Sequence, residues 1–270
     1  MKTSIKTLII TLFIVPALSI GFTSCSDDDE IEQPDNSNII KSYQATINMT
    51  QLANGMAVSL STDTIKPYIN KKRQAFNISR LRYLISDITF HKSDGSTFII
   101  DDYHFVDLAD TSTLVYTPTT KVPVGNYSSI SFKFGFDEAD NIPNAYADLN
   151  TTNWNWPMML GNGYHNMQLE GKYDSLGNDR FFATHMGTAR DNSDPNNVIF
   201  ENNHFVAQLA NSDMNVNSDF SFEIIMNVEQ WYENPFEWDF TIYNAPIMPI
   251  YSAQKRLNEN GPSVFTILKN

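Results

Sequence analysis

The sequence predicts a mostly β protein: an antiparallel β-sandwich with long loops and a short C-terminal helix. Three observations carry the prediction. Within residues 127–136, Ile130, Phe132, Phe134 and Phe136 alternate with Ser129, Ser131 and Lys133, the period-two pattern of a half-buried strand. Many short runs rich in β-branched and aromatic residues are separated by turn-forming residues, as in sandwiches and barrels. Persuasive helix signals occur once, near the C-terminus.

In chain order, residues 43–49 alternate. Residues 84–91 are branched and aromatic, and Asp94-Gly95 then turns the chain into 97–100, which reads as a hairpin. A strand is expected at 103–108, and later ones at 167–169, 181–185, 204–209, 220–228 and 240–243. Ser252 is placed to cap a helix over 253–258, which Asn260-Gly261-Pro262 would stop. Two long stretches, 137–152 and 190–203, read as loops, and long loops in compact domains are often functional.

The N-terminus has a separate role. Lys2 and Lys6 precede a nearly unbroken apolar run from Leu8 to Phe22, the pattern of a secretory signal. The chain's one cysteine follows in Gly21-Phe22-Thr23-Ser24-Cys25. That arrangement resembles a lipobox, with residues 1–24 removed and Cys25 lipidated. Ser26-Asp27-Asp28-Asp29-Glu30 resembles the surface-export signal of Bacteroidota lipoproteins. Residues 25–40 are too polar to bury a core and read as a disordered linker, leaving 41–270 as one domain. The expected location is the outer membrane, lipid-anchored through Cys25 and facing the periplasm or the cell surface.

The net charge of −13 comes from 31 acidic against 18 basic residues. Removing residues 1–24 takes away two lysines and no acid, so the mature chain is more acidic still. Such a surface repels nucleic acid and anionic lipid, which leaves membrane attachment to the acyl chain. No G-x-S-x-G elbow, H-E-x-x-H pair or phosphate-binding glycine loop is present. A non-catalytic role is therefore expected.

The densest chemistry lies between Asn153 and Gly171, where Trp154, Trp156, Met158, Met159, His165 and Met167 fall close together, followed by His185-Met186-Gly187. Imidazole and thioether suit Cu(I), a soft ion, although methionine and tryptophan more commonly fill core. His185, His165, Trp154, Trp156, Met158 and Met186 are the candidate site residues. His91, His104 and His204 lie on strand-like segments and read as structural.

Several blocks resemble, in order, those of the MbnP-like (methanobactin-partner) family: Leu81-Arg82-Tyr83-Leu84-Ile85-Ser86-Asp87-Ile88, Val106-Asp107-Leu108, Val122-Pro123-Val124-Gly125-Asn126-Tyr127, Phe134-Gly135-Phe136-Asp137, Trp154-Asn155-Trp156, Gly163-Tyr164, Leu169-Glu170-Gly171 and His185-Met186-Gly187. The resemblance covers about 42–265. It implies an exported β-sandwich whose better-understood members bind Cu(I) through two histidines and a tryptophan oxidised to kynurenine. In those members the tryptophan and one histidine form W-x-H or H-x-W. Here Trp154-x-Trp156 places tryptophan where the adjacent histidine would be, and His185 matches the distant histidine.

Two other readings come from the residues. Oxygen-rich loops around Asp137 and Asp140, and around Asp191 and Asp194, suggest calcium, against the plainer reading of Asx-turns. The aromatic stretch 154–164 could instead be an exposed loop gripping a glycan or a protein partner.

Overall fold

The computed structural model describes residues 40–244 and 246–269. The signal segment, Cys25 and all of the linker but its last residue lie outside the described residues. The principal strands are β1 (Ala45–Ala53), β2 (Arg80–His91), β3 (Thr97–Asp107), β4 (Ser129–Phe134), β5 (Met167–Ser175), β6 (Asn178–Met186), β7 (Phe205–Leu209), β8 (Phe220–Asn227) and β9 (Phe265–Lys269). Two helices join them, α1 (Ala147–Thr151) and α2 (Tyr251–Asn260).

One eight-stranded sheet runs β7-β4-β2-β5 and continues into the short strands Ala75–Phe76 and Tyr68–Ile69, with β3 on the far side of β2 and β6 on β5. A five-stranded sheet runs β9-β8-β1 with two short partners. Within it β1 and β8 pair in parallel. Aromatic side chains from the two sheets meet across one core: Phe90 packs edge-on against Phe222, and Phe134 lies tilted against Phe265. This is the expected sandwich. In β1, buried and half-buried residues alternate along the whole strand, as one face in the core requires.

Four local expectations need correction. Strand β3 is continuous where two strands were expected, because a bulge sets Asp101 and Asp102 of β3 opposite the single Asp87 of β2, whose φ is +50°, and the pairing resumes beyond it. Ile130, Phe132 and Phe134 do line the core, but Phe136 joins a second cluster. Gly135 at φ +85° ends the extended run, so the period of two stops there. Residues 240–243 form a turn: the Asp239 carboxylate accepts from the Thr241 backbone N–H and hydroxyl and bends the chain. Helix α2 begins at Tyr251, with Ile250 at its N-cap, so Ser252 lies inside it. The chain nevertheless leaves the α-helix at Asn260, passing into a 3-10 turn at Gly261–Ser263.

Candidate metal centre

The register of β2, β5 and β6 assigns each side chain to a face. Leu81, Tyr83, Met167, Leu169 and Met186 lie in the main core. By alternation, Arg80, Arg82, Leu84, Gln168, Glu170 and His185 lie on the outer face. Residues 137–166 cover part of that face. Leu149 of α1, Trp154 and Tyr164 from this cover bury a second apolar cluster with Leu84 and Phe136, against which Tyr103, Phe105 and Tyr146 pack. The stretch 137–152, expected as a loop, thus contains a helix and acts as a cover.

Trp154 and His165 enter on the two arms of a tight hairpin. The Trp156 N–H donates to Gly163 O at 2.8 Å and the His165 N–H to Trp154 O at 2.9 Å, around the bridge Asn155–Tyr164. His165 is therefore the cross-strand partner of Trp154, and Trp156, two residues on, shares its face. The His165 ring centre lies 5.4 Å from Trp154, 4.9 Å from Trp156 and 5.4 Å from His185. His185 reaches the group from the end of β6. Both tryptophans and His165 are buried, while the His185 side chain keeps 17% exposure and marks the solvent side. The Arg82 guanidinium stands 5.5 Å from the Trp154 ring centre.

Hydrogen bonds fix which nitrogen of each imidazole is bare. His165 Nδ1 is 3.0 Å from Trp154 O. A carbonyl only accepts, so Nδ1 carries the proton and Nε2 the lone pair. His185 Nε2 is 2.9 Å from Glu170 Oε1, so Nε2 donates there and Nδ1 is bare in the neutral ring. Burial pushes the His165 pKa down to about 3, although the Trp154 carbonyl pulls the other way. The His185 hydrogen bond, with Arg80 adding to it, holds the Glu170 carboxyl below its usual range. The indole Nε1 of Trp154 is buried with no hydrogen-bond partner, whereas that of Trp156 donates to Leu160 O at 3.0 Å.

The ring separation suits a shared ion. With a metal–nitrogen bond of about 2.0 Å, an imidazole centre lies about 3.2 Å from its ion. Two rings on one ion then stand about 5.2 Å apart at a tetrahedral angle and about 6.4 Å apart when linear. The observed 5.4 Å lies between these limits.

The other candidates fall elsewhere. Met186 is fully buried in the main core, on the strand face opposite its neighbour His185, which removes it as a ligand beside that residue. Met158 sits at the hairpin turn and is 80% exposed. The expected exposed aromatic loop is absent: Trp154, Trp156 and Tyr164 are buried because the hairpin lies down on the sheet, leaving no ring face for a glycan. Asp191 and Asp194 accept backbone N–H groups in Asx-turns. Asp137 and Asp140 do approach each other, together with Asp87, but Lys133 forms ion pairs with Asp87 and Asp137. Lys133 of β4 therefore already supplies a positive charge to two of the three carboxylates. His91, His104 and His204 hydrogen-bond Ser131, Thr113 O and Asn202 respectively.

Residues that the sequence did not single out complete the surroundings. Glu170 and Arg80 face each other across β5 and β2, and only their even positions in alternating strands hinted at an outward face. Gln254 of α2 is fully buried and grips the chain on either side of Met186, donating to His185 O and accepting from the Gly187 N–H. Gly187 leaves room for an indole: a Cβ there would stand 2.4 Å from the Trp156 ring.

The family model MbnP matches residues 42–248. Among solved structures, the chain is similar to MbnP from Methylosinus trichosporium, with a TM-score of 0.54 and 12% sequence identity over 85% of this chain and 99% of that one. At that identity the likeness speaks for the fold. No curated protein matches by sequence.

Proposed function

Because this chain belongs to the MbnP family, we propose that it is a non-catalytic, copper-binding protein of the cell envelope, carried on the outer membrane by a lipid on Cys25. The observation that supports copper most directly is the paired imidazoles: two rings 5.4 Å apart, each with one nitrogen tied up in donation and the other bare. The histidine missing from Trp154-x-Trp156 is replaced from the other arm of the hairpin by His165. Two neutral imidazoles against an indole wall suit Cu(I), which accepts few ligands, better than Zn(II), which takes four. Bound copper would supply a redox-active, soft Lewis-acidic ion. The chain's part is to hold two lone pairs, keep His165 neutral and screen one side from water with Trp154 and Trp156.

Titration of the purified mature protein with Cu(I) against a chromophoric chelator tests this. One ion per chain is expected, lost in the variant His165→Ala, His185→Ala. Equal copper uptake by wild type and variant would remove the proposal. Intact mass of the membrane-extracted protein tests the lipid on Cys25.

A further inference from the structure

We propose that Glu170 is a positioning residue of this centre, which commits His185 to ligation through Nδ1 while His165 ligates through Nε2. The inference rests on the copper reading above. Its geometric basis is a cross-strand relay. Arg80 on β2 lies opposite Glu170 on β5, Glu170 lies opposite Ala183 on β6, and His185 is two residues further along the same face. One carboxylate oxygen, Oε1, receives both Arg80 Nη1 at 2.8 Å and His185 Nε2 at 2.9 Å.

This relay acts in two ways. The carboxylate accepts only, so it keeps the proton of His185 on Nε2 and the lone pair on Nδ1. It also holds the imidazole by its far edge, so the ring cannot turn over and offer Nε2 instead. Arg80 in turn pins the oxygen that does the holding. A carboxylate behind a ligating histidine raises the basicity of the ring and orients it. The two histidines are thus fixed by unlike acceptors, a main-chain carbonyl for His165 and a side-chain carboxylate for His185. The pair presents opposite nitrogens, and only the carboxylate half is open to side-chain substitution.

Two variants separate orientation from charge. Glu170→Gln retains a side-chain oxygen that can accept from Nε2–H; Glu170→Ala retains none. Cu(I) affinity is read by chelator competition, and the ligating nitrogen by 15N NMR of histidine-labelled protein. Loss of such an outer partner typically costs about 10–100-fold in affinity, and that is expected of Glu170→Ala. Its 15N spectrum should show the Nε2–H of His185 losing exchange protection without copper, and a mixture of ligating nitrogens with it. Glu170→Gln should keep Nδ1 ligation and recover most of the affinity. Wild-type affinity and nitrogen pattern in Glu170→Ala would overturn the inference, as would ligation through Nε2 of His185 in the wild type. Failure of the copper reading looks different: wild type and the double histidine variant would then bind copper equally or not at all, with the Nε2–H still protected by Glu170 in the copper-free protein.

Discussion

The burial of His165 predicts a specific acid weakness in the copper-free protein. Its imidazole is pushed from 6.5 to about 3 by desolvation, so the folded chain keeps it neutral through the mildly acidic range. The unfolded chain protonates it below its ordinary pKa. The unfolded state therefore binds more protons as pH falls through 6.5, and stability drops with pH until the folded group also titrates near 3. Each pH unit in that window is worth about 1.4 kcal/mol. Between pH 7 and pH 5 this one residue should cost about 2 kcal/mol. The comparison is His165→Phe, which keeps a planar ring and removes the titration. The Trp154 carbonyl is not orphaned by the change, because the backbone N–H of residue 165 still donates to it. Urea unfolding of both proteins, with chelator present, at the two pH values gives four stabilities. His104 and His204 are also pushed down by burial, but they are common to both proteins and cancel in the difference. Wild type should lose about 2 kcal/mol more than the variant. Equal losses would show that His165 is not held neutral by its surroundings.

Two further perturbations probe the neighbourhood. Gly187→Ala would drive a methyl group into the Trp156 ring; a destabilisation of about 1–3 kcal/mol is expected, with a shift of tryptophan emission and weaker copper binding, and unchanged melting would show that the indole is free to yield. Lys133→Ala should leave Asp87, Asp137 and Asp140 facing one another without a counter-ion, at a cost of about 1–3 kcal/mol; calcium should then raise the melting temperature of the variant and leave the wild type unmoved, and the reverse pattern would show that the triad takes an ion beside the lysine.

Much of the sandwich was legible because strand alternation is a local signal. Phe132 and Phe134 announce their face without reference to any partner. The signal failed where the backbone left the extended region, at Gly135 and at the bulge of Asp87, since periodicity presumes regular dihedrals. The candidate site was partly legible for a different reason. Trp154, Trp156 and His165 sit on two arms of one hairpin, so closeness in sequence became closeness in space, and the resemblance to MbnP-like blocks pointed to His185. The same closeness misled at Met186: neighbours along a strand point to opposite faces, so adjacency to His185 argued against a shared ligand role. Glu170 and Arg80 were invisible because the contact of Glu170 with His185, and of Arg80 with Glu170, depends on which strands pair and in what register, which local pattern does not carry.

The charge pattern around the proposed centre bears on which ion it would prefer. The chain as a whole is strongly acidic, yet the outer face beside the imidazoles carries Arg80 and Arg82, with Glu170 between Arg80 and His185. Gln168, the direct strand partner of His185, accepts from Arg82 and adds no charge of its own. Repulsion from a guanidinium scales with the charge of the ion, so a divalent cation meets twice the opposition a monovalent one does. Glu170 shares its oxygen with Arg80, and Asp107 stands 3.9 Å from the Arg82 guanidinium, so each arginine of this face has its own carboxylate. The donor set pulls in the same direction: two neutral imidazoles bring no negative charge, and no carboxylate among the described residues is placed to ligate beside both rings. Number of ligands and softness are thus the two grounds on which the proposed centre would favour a monovalent soft ion. If Zn(II) bound the purified protein as tightly as Cu(I), donor number and softness would not set the preference, and selectivity would have to come from supply rather than from this face of the sheet.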